Sequence, residues 1–155
     1  MDISYVYEND AHLRSAICRE ILNGLPDWFG IPESNESYAS DARSMTALVA
    51  RDKGKPIGIM CLSFHNECTC EIHVMGIAEV YHRRGIGRRF VAEARKRALE
   101  RGARLLMVKT LDAAHPDEHY AKTREFYRAV GFMPLQCIPE IWGESCPCLI
   151  MVMPL

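Results

Sequence analysis

Three consecutive strand-like stretches, joined by short turns, constrain this chain more than any other feature. Met45–Arg51 and Pro56–Phe64 flank Asp52-Lys53-Gly54-Lys55, which reads as a hairpin turn. His65-Asn66-Glu67 then turns the chain into a further strand at Cys68–Ala78. Strands linked so tightly run antiparallel to their neighbours, which argues against an all-parallel, doubly wound sheet.

Helical text surrounds these strands. Ile3–Glu8 alternates as a short first strand. Asn9-Asp10 then offers a helix cap, Leu13, Ile17, Ile21 and Leu22 follow at helical spacing, and Asn23-Gly24 supplies a stop. Residues 25–43 hold two prolines and a glycine around aromatic residues, with a short helix predicted after Pro32. A longer helix starts beyond Gly85, with Ile86, Phe90, Val91, Ala94, Ala98 and Leu99 on one face, and Arg101-Gly102 closes it. Arg104–Leu111 reads as a strand. A helix capped by Asp117 runs to Val130, with Ala121, Phe126, Tyr127 and Val130 inward and Gly131 as its stop. Gly131–Ile138 and Leu149–Met153 read as the last strands. The order is that of a mixed α/β fold, and the absence of repeats or linkers predicts a single domain over 1–155.

Composition narrows the function. The chain has 155 residues, 48% hydrophobic and 25% charged, with a net charge of −1. That balance disfavours a dedicated nucleic-acid partner. No apolar run is long enough to span a bilayer, so no membrane partner is expected. Met1-Asp2-Ile3-Ser4 lacks a basic region followed by an apolar run, which predicts a cytoplasmic protein. Seven cysteines, an odd number, suit reduced thiols better than a disulfide framework. The pairs Cys68/Cys70 and Cys146/Cys148 have the wrong spacing for a tetrahedral zinc site, so no metal is expected.

The strand ending near Ala78 leads through His82-Arg83-Arg84-Gly85-Ile86-Gly87 into a helix. Amides at a helix start lack intrahelical partners, and the helix dipole adds positive charge there. Glycine lets an anion approach the backbone, and Arg83, Arg84, Arg88 and Arg89 can pair with phosphate oxygens. A Rossmann turn would need a third glycine, and a Walker loop would need Gly-Lys-Ser/Thr; neither is present. On its own, Gly-x-Gly is equally compatible with a turn built for close packing.

The conjunction of this turn with Met75-Gly76-Ile77 before it and Phe126-Tyr127-Arg128-Ala129-Val130-Gly131-Phe132 after it resembles the GCN5-related N-acetyltransferases (GNAT). The resemblance implies a mixed, mostly antiparallel sheet whose central parallel strands splay apart, with flanking helices. It implies acetyl-CoA as cofactor, its diphosphate held by the amides of Arg83, Arg84, Gly85, Ile86, Gly87 and Arg88 with His82 at the start of the same cofactor turn, and its pantetheine arm paired with the backbone of Met75 and Ile77. Tyr120 and Phe126 complete that cofactor set; Tyr120 stands where many members carry asparagine, and the preceding loop Asp112–His119 is long. His82 stands where members usually carry Gln or Arg, and Glu79 where many carry Pro.

Acyl transfer needs a neutral amine, donors for the developing oxyanion and a proton for the departing thiolate. Tyr127 sits where the family places its general acid, and a tyrosine hydroxyl ordinarily keeps its proton at neutral pH. Glu71 and His73, two apart on one strand, are the candidate bases, directly or through water. Trp28, Phe29, Glu33 and Tyr38 fall where the family builds one wall of its acceptor site, and with Asp27 and Glu36 they suggest a small cationic amine. The expected acceptor is a primary amine of a small molecule or peptide. Non-catalytic binding of CoA by the same fold is the alternative, and the resemblance leaves a homodimer open.

Overall fold

The computed structural model describes residues 1–155. Internal contacts divide them into two compact units: Met1–Ser63 with His73–Ala92, and Phe64–Ile72 with Glu93–Leu155. The strands hydrogen-bond in the order β1-β2-β3-β4-β5-β7-β6. The strand β4 (Thr69–Ile77) and the helix α3 (Ile86–Glu100) each contribute residues to both units.

In the first unit, β1 (Ile3–Tyr7), β2 (Thr46–Asp52) and β3 (Lys55–Phe64) form an antiparallel ladder. Asp52 pairs with Lys55, leaving Lys53 and Gly54 as a two-residue loop at φ 49° and 83°. Two successive left-handed residues define the turn whose twist matches a hairpin. The helix α1 (Ala11–Asn23) starts as expected: the Asp10 carboxylate accepts from the His12 and Leu13 amides at 2.9 and 3.1 Å. Its buried face is Ile17, Cys18, Ile21 and Leu22, while Leu13, expected inward, is 48% exposed. The short helix after Pro32 is present as α2 (Pro32–Ala42). Ala39 and Ala42 let it lie close to α1 and to Val49, Cys61 and Val74 of the sheet. The Arg14 guanidinium donates to the carbonyls of Ala42 and Arg43, satisfying orphan acceptors at the end of α2.

From His73 to Ile77, β4 alternates: Val74 and Gly76 are buried, whereas His73, Met75 and Ile77 are half-buried. A Cβ added at Gly76 would lie 3.0–3.3 Å from side-chain atoms of Ile21, Leu22 and Leu25. Glycine at this position therefore sets how closely α1 approaches the strand.

In the second unit, Thr69–Ile72 of β4 pairs parallel with Leu105–Val108 of β5 (Leu105–Leu111). The strand β7 (Cys148–Pro154) is antiparallel to both β5 and β6 (Met133–Ile138). The helix α4 (Glu118–Val130) is capped by Asp117 and ends at Gly131, whose φ of 116° is left-handed. Its inward positions differ from the periodicity. Tyr127 is buried as expected, Arg124 joins it, and Ala121, Phe126 and Val130 are only half-buried. Arg124 is tolerated inside because its guanidinium donates to the Leu111 carbonyl at 2.7 Å. Leu99 of α3, also expected inward, is 47% exposed. The fold is thus mixed α/β, as the sequence implied, with antiparallel pairs in the sheet and β4 and β5 as a parallel pair. No helix is long and apolar enough to cross a membrane.

Two predictions follow from this packing. Gly76→Ala pushes a methyl group into α1 and lowers stability by about 1–3 kcal/mol, read as a reduced urea midpoint. The second concerns Cys70 and Cys148, whose thiols burial pushes up to about 11. An unfolded thiol titrates near 8.5. Their contribution is therefore complete below that value and is lost as pH rises toward about 11. Urea midpoints should fall from pH 8 to 10.5, and fall less when both residues are replaced by alanine; equal falls would contradict the burial effect.

Candidate active site

The glycine-rich turn begins with a single 3-10 turn at Glu79–Tyr81, where the Tyr81 hydroxyl donates to Asp52 at 2.8 Å. That bond, first among the causes, and burial both raise the Tyr81 pKa. Arg83 (φ 61°) and Gly85 (φ 83°) are both left-handed, and Arg84 lies between them. Alternating conformations of this kind point successive amides to one side and make anion-binding concavities. Gly85 accepts from the Arg89 amide through its carbonyl at 3.1 Å and so opens α3, whose preceding amides have no intrahelical acceptor. Ile86 and Phe90 anchor the helix inward, while Arg83, Arg84, Gly85 and Arg88 are exposed and Gly87 is half-buried. No atom lies within 4 Å of a Cβ built on Gly85. The turn fits a diphosphate: unpaired amides, open space and three exposed guanidinium groups.

His82 ties this turn to β4. Its Nε2 lies 2.6 Å from the Ile77 carbonyl oxygen, and the Trp28 ring meets it edge-on at 5.3 Å. A carbonyl only accepts, so Nε2 carries the proton. Here His82 shapes the backbone, and the Ile77 carbonyl expected to face a pantetheine arm already accepts one bond.

The acceptor-wall residues separate. Phe29 packs edge-on against Tyr38 at 6.1 Å, and Tyr38 against His73 at 5.4 Å. Trp28, Phe29 and Tyr38 are all packed against the core of their unit while remaining half-buried. Glu33 is exposed in the first turn of α2. The Glu36 carboxylate is held by Arg19 at 2.7 and 3.1 Å, which lowers its pKa and neutralises its charge locally. His73 finds a partner the sequence did not indicate: its Nε2 lies 2.9 Å from Oδ2 of Asp41 on α2.

The second unit holds the other candidates. Glu71 is 1% exposed. Its Oε1 lies 2.6 Å from His65 Nε2 and its Oε2 3.4 Å from Lys109 Nζ, so both oxygens are engaged. Tyr127 is 8% exposed, with Phe126 at 5.6 Å and Phe132 edge-on at 5.5 Å. Tyr120, Arg124 and Tyr127 fall at helical spacing on the face of α4 that reaches Leu111. A cavity of about 600 Å³ opens in this unit beside His115, Glu140 and Glu144, and no residue expected from the sequence lines it.

These local geometries have counterparts. Residues 15–132 match the acetyltransferase (GNAT) family. The chain belongs to the GNAT acetyltransferase family. No curated protein matches its sequence closely enough to count. Among solved structures, it is similar to a GNAT-family protein from Desulfovibrio desulfuricans (18% identity, TM-score 0.83, 99% of each chain). It is also similar to a GNAT acetyltransferase from Elizabethkingia anophelis with acetyl-CoA bound (16% identity, TM-score 0.73, 99% of this chain and 98% of that one). A third is the aminoglycoside 6'-N-acetyltransferase from Enterococcus faecium (19% identity, TM-score 0.73, 99% and 97%). At these identities the likeness is one of fold.

The GNAT turn generates a prediction of its own. Gly85→Ala meets no neighbouring atom but must hold a left-handed φ, which costs about 1–2 kcal/mol. Arg83→Gly relaxes the other left-handed position and costs no more than a few tenths. Denaturant midpoints of the two variants check this; equal losses would mean the turn does not keep its left-handed geometry.

Proposed function

We propose that this protein is an N-acetyltransferase that moves the acetyl group of acetyl-CoA to a primary amine of a small molecule or peptide. The observation that carries the reading is the turn from Arg83 to Gly85 at the start of α3, within a chain of the GNAT family. In this reading residues 1–155 act as one cytoplasmic domain. Backbone amides at Ile86, Gly87 and Arg88, with the Arg83, Arg84 and Arg88 side chains, hold the diphosphate. The backbone of Met75 and Ile77 pairs with the pantetheine arm as an added strand would, and Tyr120 and Phe126 contact the cofactor from α4. His82 contributes by fixing the turn.

Acetyl-CoA supplies an electrophilic thioester carbonyl and a thiolate leaving group. Tyr127 gives its hydroxyl proton to the departing thiolate. Of the two candidate bases, His73 is the one we assign. Glu71 is enclosed with both oxygens bonded, and accepting a further proton would disrupt its pairing with Lys109. His73 donates through Nε2, and its neutral ring offers the Nδ1 lone pair to a proton. Phe29 and Tyr38 line the acceptor side next to His73, where their ring faces favour a cationic amine; Trp28 and Glu33 form its outer part.

The experiment is an acetyl-CoA-coupled screen of polyamines, aminoglycosides, amino acids and short peptides, with products identified by mass. Basic acceptors should lead in kcat/KM. Tyr127→Phe should lower kcat by about 10²–10⁴-fold with acetyl-CoA affinity unchanged by calorimetry. Tight acetyl-CoA binding without turnover of any amine would replace the enzyme reading by that of a CoA-binding module.

A further inference from the structure

Three histidines lie on or beside β4, and in each the Nε2 is engaged: His65 with Glu71, His73 with Asp41, and His82 with the Ile77 carbonyl. Their partners differ in charge and surroundings. The Ile77 carbonyl bears no formal charge. Glu71 shares its negative charge with Lys109 at 3.4 Å and is sealed from solvent. Asp41 bears a carboxylate whose side chain is 46% exposed, against a His73 side chain 22% exposed. The pair is held from both sides. Tyr38, one turn earlier on α2, packs its ring edge-on to the imidazole at 5.4 Å. Arg14 pins the carbonyls of Ala42 and Arg43, immediately after Asp41.

A carboxylate accepts and does not donate, so the proton between the two groups belongs to His73 Nε2, and in the neutral ring that acts as base Nδ1 carries the lone pair. We propose that Asp41 is a positioning residue for acetyl transfer. It fixes His73 as the Nε2–H tautomer, and it stabilises the imidazolium that forms when Nδ1 takes the proton of the acceptor amine. The role rests on the transferase reading above. In that step the amine nitrogen bonds to the acetyl carbon as the carbon–sulfur bond breaks. The amine proton goes to His73 Nδ1, and the thiolate takes up the hydroxyl proton of Tyr127. Asp41 and Tyr38, both on α2, face His73.

The test combines a spectroscopic and a kinetic readout on the full chain. Long-range ¹H–¹⁵N spectra of the protein without cofactor should show His73 protonated at Nε2. In Asp41→Asn the side-chain amide can donate to Nε2, and the signal should shift toward the Nδ1–H tautomer. His73→Gln and Asp41→Asn should each lower kcat by about 10²–10⁴-fold, with acetyl-CoA affinity by calorimetry and melting temperature nearly unchanged. The double variant should be no slower than either single one, because the two residues act as a unit. Asp41→Glu should recover part of the rate. An Nδ1–H tautomer in the wild type, or wild-type kcat in Asp41→Asn, would overturn the positioning role while leaving the transferase reading intact. A wild type that binds acetyl-CoA, shows the Nε2–H tautomer and acetylates no amine would overturn the transferase reading and this role with it.

Discussion

The approach of α1 to β4 at Gly76 is the contact on which the first unit depends. A side chain there would meet Ile21, Leu22 and Leu25 at 3.0–3.3 Å, so glycine lets the helix settle directly on the strand. With Val74 and Gly76 directed inward, alternation leaves His73, Met75 and Ile77 in the half-buried row of β4. The same packing brings α2 beside the strand, because Ala39 and Ala42 share a core with Ile17, Cys18 and Val74. Close packing at one glycine thus determines which residues of β4 remain available for chemistry.

The anion turn is built by backbone geometry more than by net charge. A chain of net charge −1 offers no general attraction for a polyanion. Arg83 and Gly85 adopt left-handed conformations that turn amides outward at the start of α3, and the nearby arginines add charge locally. Neighbouring aromatic rings also carry cations: Arg84 lies over Tyr81 at 5.6 Å and Arg89 over Tyr5 at 5.3 Å.

Much of this was legible because it is local. The caps Asp10 and Asp117, the Lys53-Gly54 turn and the stop at Gly131 all follow from side-chain and φ preferences within a few residues. Leu13 and Leu99 satisfy helical periodicity at the margins of their apolar faces and remain exposed, and Arg124 lies inward because the Leu111 carbonyl offers a partner. Asp41 could not be paired with His73 from spacing, since 32 residues separate them and α2 has little periodicity beyond its alanines. His65 and Lys109 likewise reach Glu71 from other elements.

Three carboxylates show how surroundings assign different work to similar groups. Glu36 is bonded to Arg19 in solvent, where the pair is screened and exchanges readily with water. Glu71 is sealed between a histidine and a lysine, and removing either partner would leave a buried charge to be solvated, so its stake is structural. Asp41 is exposed enough to stay hydrated, yet its orientation is fixed by α2 and its hydrogen bond goes to His73. A group that must stabilise a transient imidazolium needs a full charge already oriented before the proton arrives. Glu36 spends its charge on Arg19 and Glu71 shares it with Lys109, whereas the Asp41 carboxylate is paired with the histidine itself.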